Sequence, residues 1–244
     1  MTTGLLLLHA WPMDARMWDE QVAAFSDRLP VVAPDMPGFG SAPAGGEVAT
    51  MAAAAERAMA ELDAAAVDRA IVCGLSMGGY VAFEVWRRWR ERVAALVLAN
   101  TRALADTPEA QDGRRALAAR LRSEGIGFFL QELPPLLSAD PPERAERRVR
   151  EIVGDQSAEA IAAATLGLGA RVDSTPDLAT IDVPTTVIAS TGDRLIPPEV
   201  TLEMAQGIRG ATQATLPDAG HLANLEDPDG FNAPVDLLLA QLGF

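Results

Sequence analysis

The stretch Ala-Ile-Val-Cys-Gly-Leu-Ser-Met-Gly-Gly at residues 70–79 carries the pattern G-x-S-x-G between an apolar run and a helical pattern. In that context Ser76 is predicted to lie on a tight turn from a buried strand into a helix. Such a turn has no room for neighbouring side chains, and Gly74 and Gly78 supply none. We therefore expect the Ser76 hydroxyl to project as a nucleophile, beside a Met77 N–H at a helix N-terminus that favours negative charge.

Short apolar runs alternate with helical patterns on both sides of this turn. Strands are predicted at Leu5–Leu8, Val31–Ala33, Ala70–Cys73, Ala95–Ala99, Thr185–Ala189 and Gln213–Leu216. Helices are predicted between them at Met17–Arg28, Ala49–Ala66, Met77–Arg92, Pro198–Ile208 and Asp229–Leu242. Runs with little polar alternation are typical of parallel strands that are buried on both faces. The sequence therefore predicts an α/β fold with a mostly parallel sheet of about six strands flanked by helices.

Residues 102–172 interrupt the alternation, because they contain no convincing strand. Helices are predicted there at Pro108–Ser123, Gly127–Leu137, Pro141–Val153 and Ala158–Ala170. Long insertions are often functional. We expect an α/β core formed by residues 1–101 and 173–244, with residues 102–172 inserted in it as a helical layer. A layer without any role in binding is the alternative.

Composition excludes several kinds of chemistry. The 244 residues are 49% hydrophobic, which is enough to form a core without metals or disulfides. Their net charge of −14 should repel nucleic acids. All 20 basic residues are Arg, which excludes a Schiff-base lysine, a pyridoxal-phosphate enzyme and a P-loop. One Cys and two distant His do not suit a structural zinc site, so we expect no metal and no cofactor.

No targeting or membrane-spanning segment is expected. The apolar run Leu5–Leu8 is too short for a signal peptide or a span. The Ala-rich stretch Ala52–Ala66 carries charged residues and is typical of an amphipathic helix. We expect a cytoplasmic protein that binds neither membranes nor nucleic acids.

Two further side chains are predicted to meet Ser76. A serine hydroxyl needs a base, a role that suits His. His221 follows the last predicted strand and so lies at the carboxyl edge of the sheet, as Ser76 does. Asp193 follows an earlier strand and gives the chain order Ser, Asp, His that accompanies such a turn. Three carboxylates nearer to His221 in the sequence are rivals as its partner: Asp218, Glu226 and Asp227.

An oxyanion formed at Ser76 needs two N–H donors. We expect them from Met77 and from Trp11 in the loop after the first strand, with His9 of that loop in a structural role. Side chains expected to bind substrate are those of Trp11, Met77, Phe128 and Phe129. Arginines of the insertion could bind a substrate carboxylate. The favoured interpretation is that they form salt bridges on the surface of the helices.

The chain resembles the α/β-hydrolase fold family, in particular its small esterases, 3-oxoadipate enol-lactonases and cofactor-free haloperoxidases. The resemblance is carried by Leu7–Pro12, Asp35–Ser41, the Ser76 turn, Gly192-Asp193 and Gly220-His221. It implies that Asp35–Ser41 forms a structural turn behind the site. It also implies that residues 102–172 are a helical cap that roofs the pocket.

Two departures from the family are visible. Ala10 stands where members usually carry Gly, and its Cβ would narrow the oxyanion loop. Only Met1–Gly4 precede the first strand, so we expect a fold without the family's usual N-terminal strands. The strand Val31–Ala33 would then form an exposed edge, which we expect to be covered or to pair with a second copy in a homodimer.

The function expected from these residues is that of a serine hydrolase. It would cleave a small, mainly apolar carboxylic ester or lactone through an acyl-enzyme, with Ser76, His221 and Asp193 as the triad. Two alternatives stay open. The same triad could serve perhydrolysis, as in the cofactor-free haloperoxidases that the chain resembles. Alternatively, the protein could bind a small molecule without catalysis, but such a protein would have no need of an activated Ser.

Overall fold

The computed structural model describes residues 1–244 and contains one six-stranded parallel sheet. The strands are β1 (Thr3–Leu8), β2 (Val31–Val32), β3 (Arg69–Leu75), β4 (Val93–Ala99), β5 (Thr185–Ser190) and β6 (Thr212–Leu216). Their order is β2-β1-β3-β4-β5-β6, and every neighbouring pair is parallel. The carboxyl ends of all strands therefore meet at one edge. The α/β fold and all six strands are confirmed.

Eleven α-helices accompany the sheet. In chain order they are α1 (Asp19–Phe25), α2 (Met51–Ala64), α3 (Met77–Trp89), α4 (Pro108–Glu124), α5 (Ile126–Gln131), α6 (Glu143–Gly154), α7 (Ala158–Gly169), α8 (Thr175–Leu178), α9 (Pro198–Gln206), α10 (Ala223–Glu226) and α11 (Pro228–Gln241). Short 3-10 helices at Ala15–Trp18 and Arg90–Arg92 begin or extend the predicted helices. Helix α3 packs on the central strands, and α2 packs on α3. Because strands such as Leu5–Leu8 are almost fully buried, both faces of the sheet are covered.

The helix predicted over Gly127–Leu137 is much shorter than expected. It ends at Gln131, and the following residues include Pro134 and Pro135. Proline lacks the N–H that a helix interior needs and disfavours helical backbone in the residue before it. The apolar pattern continues past Gln131, but the backbone cannot follow it.

Residues 102–172 contain four helices and no strand, as expected. Helix α4 packs along α7. Helix α7 also reaches the segments that follow β1 and β2: its Ile161 carbonyl accepts a hydrogen bond from the Trp11 indole (3.3 Å), and its Ala163 carbonyl accepts one from the Ala49 N–H (3.0 Å). The insertion thus lies against loops at the carboxyl edge of the sheet. That residues 102–172 form a cap distinct from the α/β core stays a prediction.

Strand β2 forms one edge of the sheet, as expected. It has only two residues, and both Val31 and Val32 are half-buried. A short edge strand offers few unpaired backbone groups to a second chain. A homodimer through this edge stays a prediction. None of the helices combines the length and apolar character that crossing a bilayer requires.

Candidate active site

Ser76 stands alone between the end of β3 at Leu75 and the start of α3 at Met77. Its φ of 54° and ψ of −112° lie outside the conformations that side chains normally allow. A Cβ at Gly74 would run into the backbone of Gly78, and one at Gly78 would run into the Leu8 carbonyl. The chain is therefore as closely packed around Ser76 as the glycine spacing predicts, and only glycine fits at those two positions.

The side chains of His221 and Asp193 form a hydrogen bond. The Nδ1 of His221 lies 2.7 Å from Oδ2 of Asp193, and both residues are buried. The other oxygen, Oδ1, accepts hydrogen bonds from the N–H groups of Leu195 (2.8 Å) and Ile196 (3.0 Å), which fix the carboxylate. Because an ionised carboxylate only accepts, Nδ1 carries the proton, and Nε2 is left as the acceptor.

The rival carboxylates are engaged elsewhere. Glu226 accepts hydrogen bonds from the Ser138 hydroxyl (2.5 Å) and the Gly220 N–H (2.9 Å), so it ties the loop before His221 to residue 138. Asp227 caps α11 by accepting from the Gly230 N–H (3.0 Å). The Asp218 side chain makes no hydrogen bond to the ring. Of the four candidates, Asp193 alone contacts His221.

Asn100 is a residue of the site that the sequence analysis missed. It follows β4 directly, has a φ of 41° and is buried. Its Nδ2 donates to the carbonyls of His221 (2.9 Å) and Gly220 (3.2 Å) and to the Ser190 hydroxyl (2.9 Å). Asn100 thereby holds the backbone of the histidine loop. Its position at the carboxyl end of a predicted strand was the available signal, because polar residues there face the same edge as Ser76.

Ser76 and His221 line one small cavity of about 140 Å³. Its other lining residues are Trp11, Tyr80, Arg102, Arg114, Leu168, Leu195 and Ile196. The Ser76 hydroxyl forms no hydrogen bond to the imidazole in this conformation. Catalytic hydrogen bonds are often long without substrate and shorten once it binds.

The expected oxyanion donors differ in how far they reach the cavity. The N–H of Trp11 donates no hydrogen bond within the chain. Met77 opens α3, so its N–H has no partner one turn earlier in the helix. Both N–H groups are thus free of partners within the chain, and their role as oxyanion donors stays a prediction. The Met77 side chain is buried and does not line the cavity.

Phe128 and Phe129, expected to bind substrate, do not line this cavity. Phe129 is buried and packs edge-on against the Trp11 ring, with centroids 5.5 Å apart. Phe128 lies under the Arg120 guanidinium at 4.0 Å from the ring centroid. Phe129 therefore packs against a residue that lines the cavity, and Phe128 packs against Phe129.

His9 is structural, as expected. It is fully buried: its Nε2 accepts a hydrogen bond from the Met36 N–H (2.9 Å), and its Nδ1 donates to the Ala10 carbonyl (3.0 Å). Burial lowers the pKa of His9, which keeps the ring neutral. The ring therefore joins the Trp11 loop to the Asp35–Ser41 turn, in which Asp35 accepts from the Ser41 N–H (2.8 Å).

Two of the residues that line the cavity, Arg102 and Arg114, belong to an arginine cluster. Asp106 is bridged by Arg102 (2.8 Å), Arg171 (2.8 Å) and Arg114, and we call these four residues the Asp106 cluster. Although burial acts to raise the pKa of Asp106, hydrogen bonds from Arg171 and Arg114 hold it down at about 2. The carboxylate stays ionised, and the cluster carries more positive than negative charge.

Comparison with known proteins identifies the family of the chain. The profile of the alpha/beta hydrolase family matches residues 5–233, so the chain belongs to the alpha/beta hydrolase family.

Named relatives are similar over nearly the whole length. The chain is 28% identical over 241 residues to 3-oxoadipate enol-lactonase 2 of Acinetobacter baylyi, covering 97% of this chain and 88% of that one. It is 30% identical to the pimeloyl-[acyl-carrier protein] methyl ester esterase of Aromatoleum aromaticum, covering 92% and 93%. Among solved structures, a thermophilic esterase from Thermogutta terrifontis (malate bound) superposes with a TM-score of 0.93 at 36% identity, covering 100% and 91%.

Proposed function

We propose that this carboxylic ester hydrolase acts through Ser76 as nucleophile, His221 as base and Asp193 as the carboxylate that orients the base. The observation that carries the proposal is the 2.7 Å contact between His221 and Asp193, made by an imidazole that shares a small cavity with Ser76. The named esterases and enol-lactonases among the relatives support the same class of reaction.

The proposed reaction begins when His221 Nε2 takes the Ser76 proton as Oγ attacks the ester or lactone carbonyl. The bond between the acyl carbon and the alkoxide oxygen then breaks, and His221 returns the proton to the alkoxide. Water attacks the acyl-enzyme with the same base and releases the acid. Asp193 holds the proton on Nδ1 and stabilises the imidazolium that forms in each half.

Negative charge on the carbonyl oxygen would be held by the N–H groups of Trp11 and Met77. Met77 adds the positive end of the α3 dipole. The indole N–H of Trp11 donates a hydrogen bond to the Ile161 carbonyl of α7 (3.3 Å), which holds the residue in place. The insertion, residues 102–172, would act as a cap that keeps this donor in place and closes the pocket.

The cavity favours a short substrate. A volume of about 140 Å³ corresponds to roughly five water molecules at about 30 Å³ each. Apolar side chains of Leu168, Leu195 and Ile196 supply much of its wall. We propose small carboxylic esters or lactones as substrates.

The test compares p-nitrophenyl esters of increasing acyl length with the Ser76→Ala variant. We expect activity to be highest on short acyl chains and kcat to fall by about three to six orders of magnitude in the variant. Ser123→Ala, which removes an exposed hydroxyl on α4, is the matched control and should keep full activity. Full activity in folded Ser76→Ala would refute the proposal. Supplying hydrogen peroxide as acceptor separates hydrolysis from perhydrolysis.

A further inference from the structure

Two arginines of the Asp106 cluster line the cavity, unlike the salt-bridged arginines on the surface of the insertion. Arg102 and Arg114 share the lining with Ser76 and His221, and no carboxylate lies among the lining residues. Most other arginines of the insertion, such as Arg120 and Arg122, pair with exposed glutamates. Two arginine side chains therefore line the same small cavity as the proposed nucleophile.

The charges of this cluster do not balance. Three guanidinium groups form ion pairs with the single carboxylate of Asp106, which is ionised, so the four residues together carry a net charge of +2. An excess of positive charge at the wall of a cavity attracts an opposite charge. An anionic group on a ligand would supply that charge.

The three arginines divide into one structural and two available groups. The side chain of Arg171 is only 3% exposed, and its donors reach Asp106 and the carbonyls of Leu168 (2.7 Å) and Leu104 (3.0 Å). The side chains of Arg102 and Arg114 are 33% and 24% exposed. Arg114 uses only its Nε for Asp106 and Arg102 only its Nη2, so both keep N–H donors that no group of the chain accepts.

We propose that Arg102 and Arg114 bind a carboxylate of the substrate, so that the preferred substrates are half-esters of short dicarboxylic acids or lactones that bear an acid. A guanidinium fork matches a carboxylate with two parallel hydrogen bonds. Because the cavity is small, few atoms separate the carboxylate from the carbonyl that Ser76 attacks. Asp106 and Arg171 hold the two arginines in place. This inference rests on the proposed function of Ser76.

The experiment measures kcat/KM for monoethyl succinate and for its neutral isostere ethyl 4-methylpentanoate. We expect the wild type to prefer the charged ester by at least about tenfold. Arg102→Gln and Arg114→Gln should each reduce that preference by about tenfold to a hundredfold, the value of hydrogen bonds to a charged group. Arg115→Gln, on the same helix but exposed and paired with Asp112, is the matched control and should keep the wild-type ratio.

The ratio is insensitive to partial unfolding, because unfolded protein lowers both rates equally. A second measurement uses free succinate as an inhibitor of ethyl 4-methylpentanoate hydrolysis. Competitive inhibition in wild type and Arg115→Gln that weakens in both cavity variants would support the inference. A wild type without preference and without inhibition, or cavity variants with an unchanged ratio, would overturn it. Loss of both activities in Ser76→Ala shows in either case that the proposed function stands.

Discussion

Ser76 and Asn100 adopt backbone conformations with positive φ, 54° and 41°, directly after the neighbouring strands β3 and β4. Side chains rarely accept such φ values, and residues that do so cluster at functional sites, where the surrounding structure compensates the strain. Here the compensation is visible, because Asn100 donates three hydrogen bonds and the glycines beside Ser76 admit close backbone contacts.

Replacing Asn100 by alanine should impair catalysis through the position of His221. Without the amide, the carbonyls of Gly220 and His221 lose their donor, and the histidine loop is free to shift. We expect kcat to fall by about tenfold to a hundredfold with a smaller change in KM, and the free energy of unfolding to fall by about 1–3 kcal/mol. Asn232→Ala, whose amide oxygen accepts from Gln21 away from the cavity, is the control. Equal kcat in the two variants would show that Asn100 has no positioning role.

Some residues of the site could be predicted from the sequence and others could not. Ser76, His221 and Asp193 could be placed because each follows a predicted strand at the carboxyl edge, and chain order separated Asp193 from its rivals. The Asp106 cluster could not be predicted, since it joins residues from a loop, from α4 and from the end of α7. Phe128 and Phe129 lie on α5 as expected but pack on Arg120, on Trp11 and on each other, and side-chain packing of this kind has no signal in the sequence.

Among the elements, the Ser76 turn depends on two glycines. Gly74 lets β3 lie close to the start of α3, and Gly78 lets α3 lie close to β1. Gly78→Ala would place a methyl group against the Leu8 carbonyl, so we expect a loss of about 1–3 kcal/mol in the free energy of unfolding. A methyl group at Gly113, within α4, would meet no atom within 4 Å, and Gly113→Ala should gain about 0.5–1 kcal/mol. Urea denaturation measures both changes. Equal effects at the two positions would contradict the packing described for the turn.

Strands were predicted more accurately than helices because apolar runs between turn residues mark buried parallel strands clearly. Helix starts were clearest where a cap was present: α4 begins at Pro108 after Thr107, whose hydroxyl accepts from the Ala110 N–H (3.3 Å). The end of α5 was missed because the apolar pattern outweighed Pro134 and Pro135. The short helices α8 and α10 left no periodic signal to read.

Across the whole molecule, Asp106 links the segment after β4 to α4 and to the segment after α7. Its pKa of about 2 when folded lies below the ordinary value of 3.8. Between these pH values the unfolded chain binds a proton that the folded chain does not, so this stabilising contribution is present above about pH 4 and is lost as the pH falls toward 2. The expected loss is about 2 kcal/mol.

The measurement is the free energy of unfolding of wild type and Asp106→Asn from about pH 5 to pH 2. The variant should be less stable at pH 5, because three arginines lose their carboxylate. The difference from wild type should then narrow by about 2 kcal/mol as the pH falls. Asp112→Asn, which breaks an exposed pair, should show almost no such change. A constant difference for Asp106→Asn would contradict the ionised state of the cluster.

In the proposed mechanism, one serine hydroxyl is activated by an imidazole that Asp193 orients. Labelling the folded protein with a fluorophosphonate and locating the adduct by peptide mass spectrometry tests this most directly, since the reagent reacts with activated serines. We predict a single adduct on Ser76, absent in Ser76→Ala and formed far more slowly in His221→Ala. A wild type that hydrolyses esters but takes up no label at Ser76, or labels equally fast without His221, would contradict it.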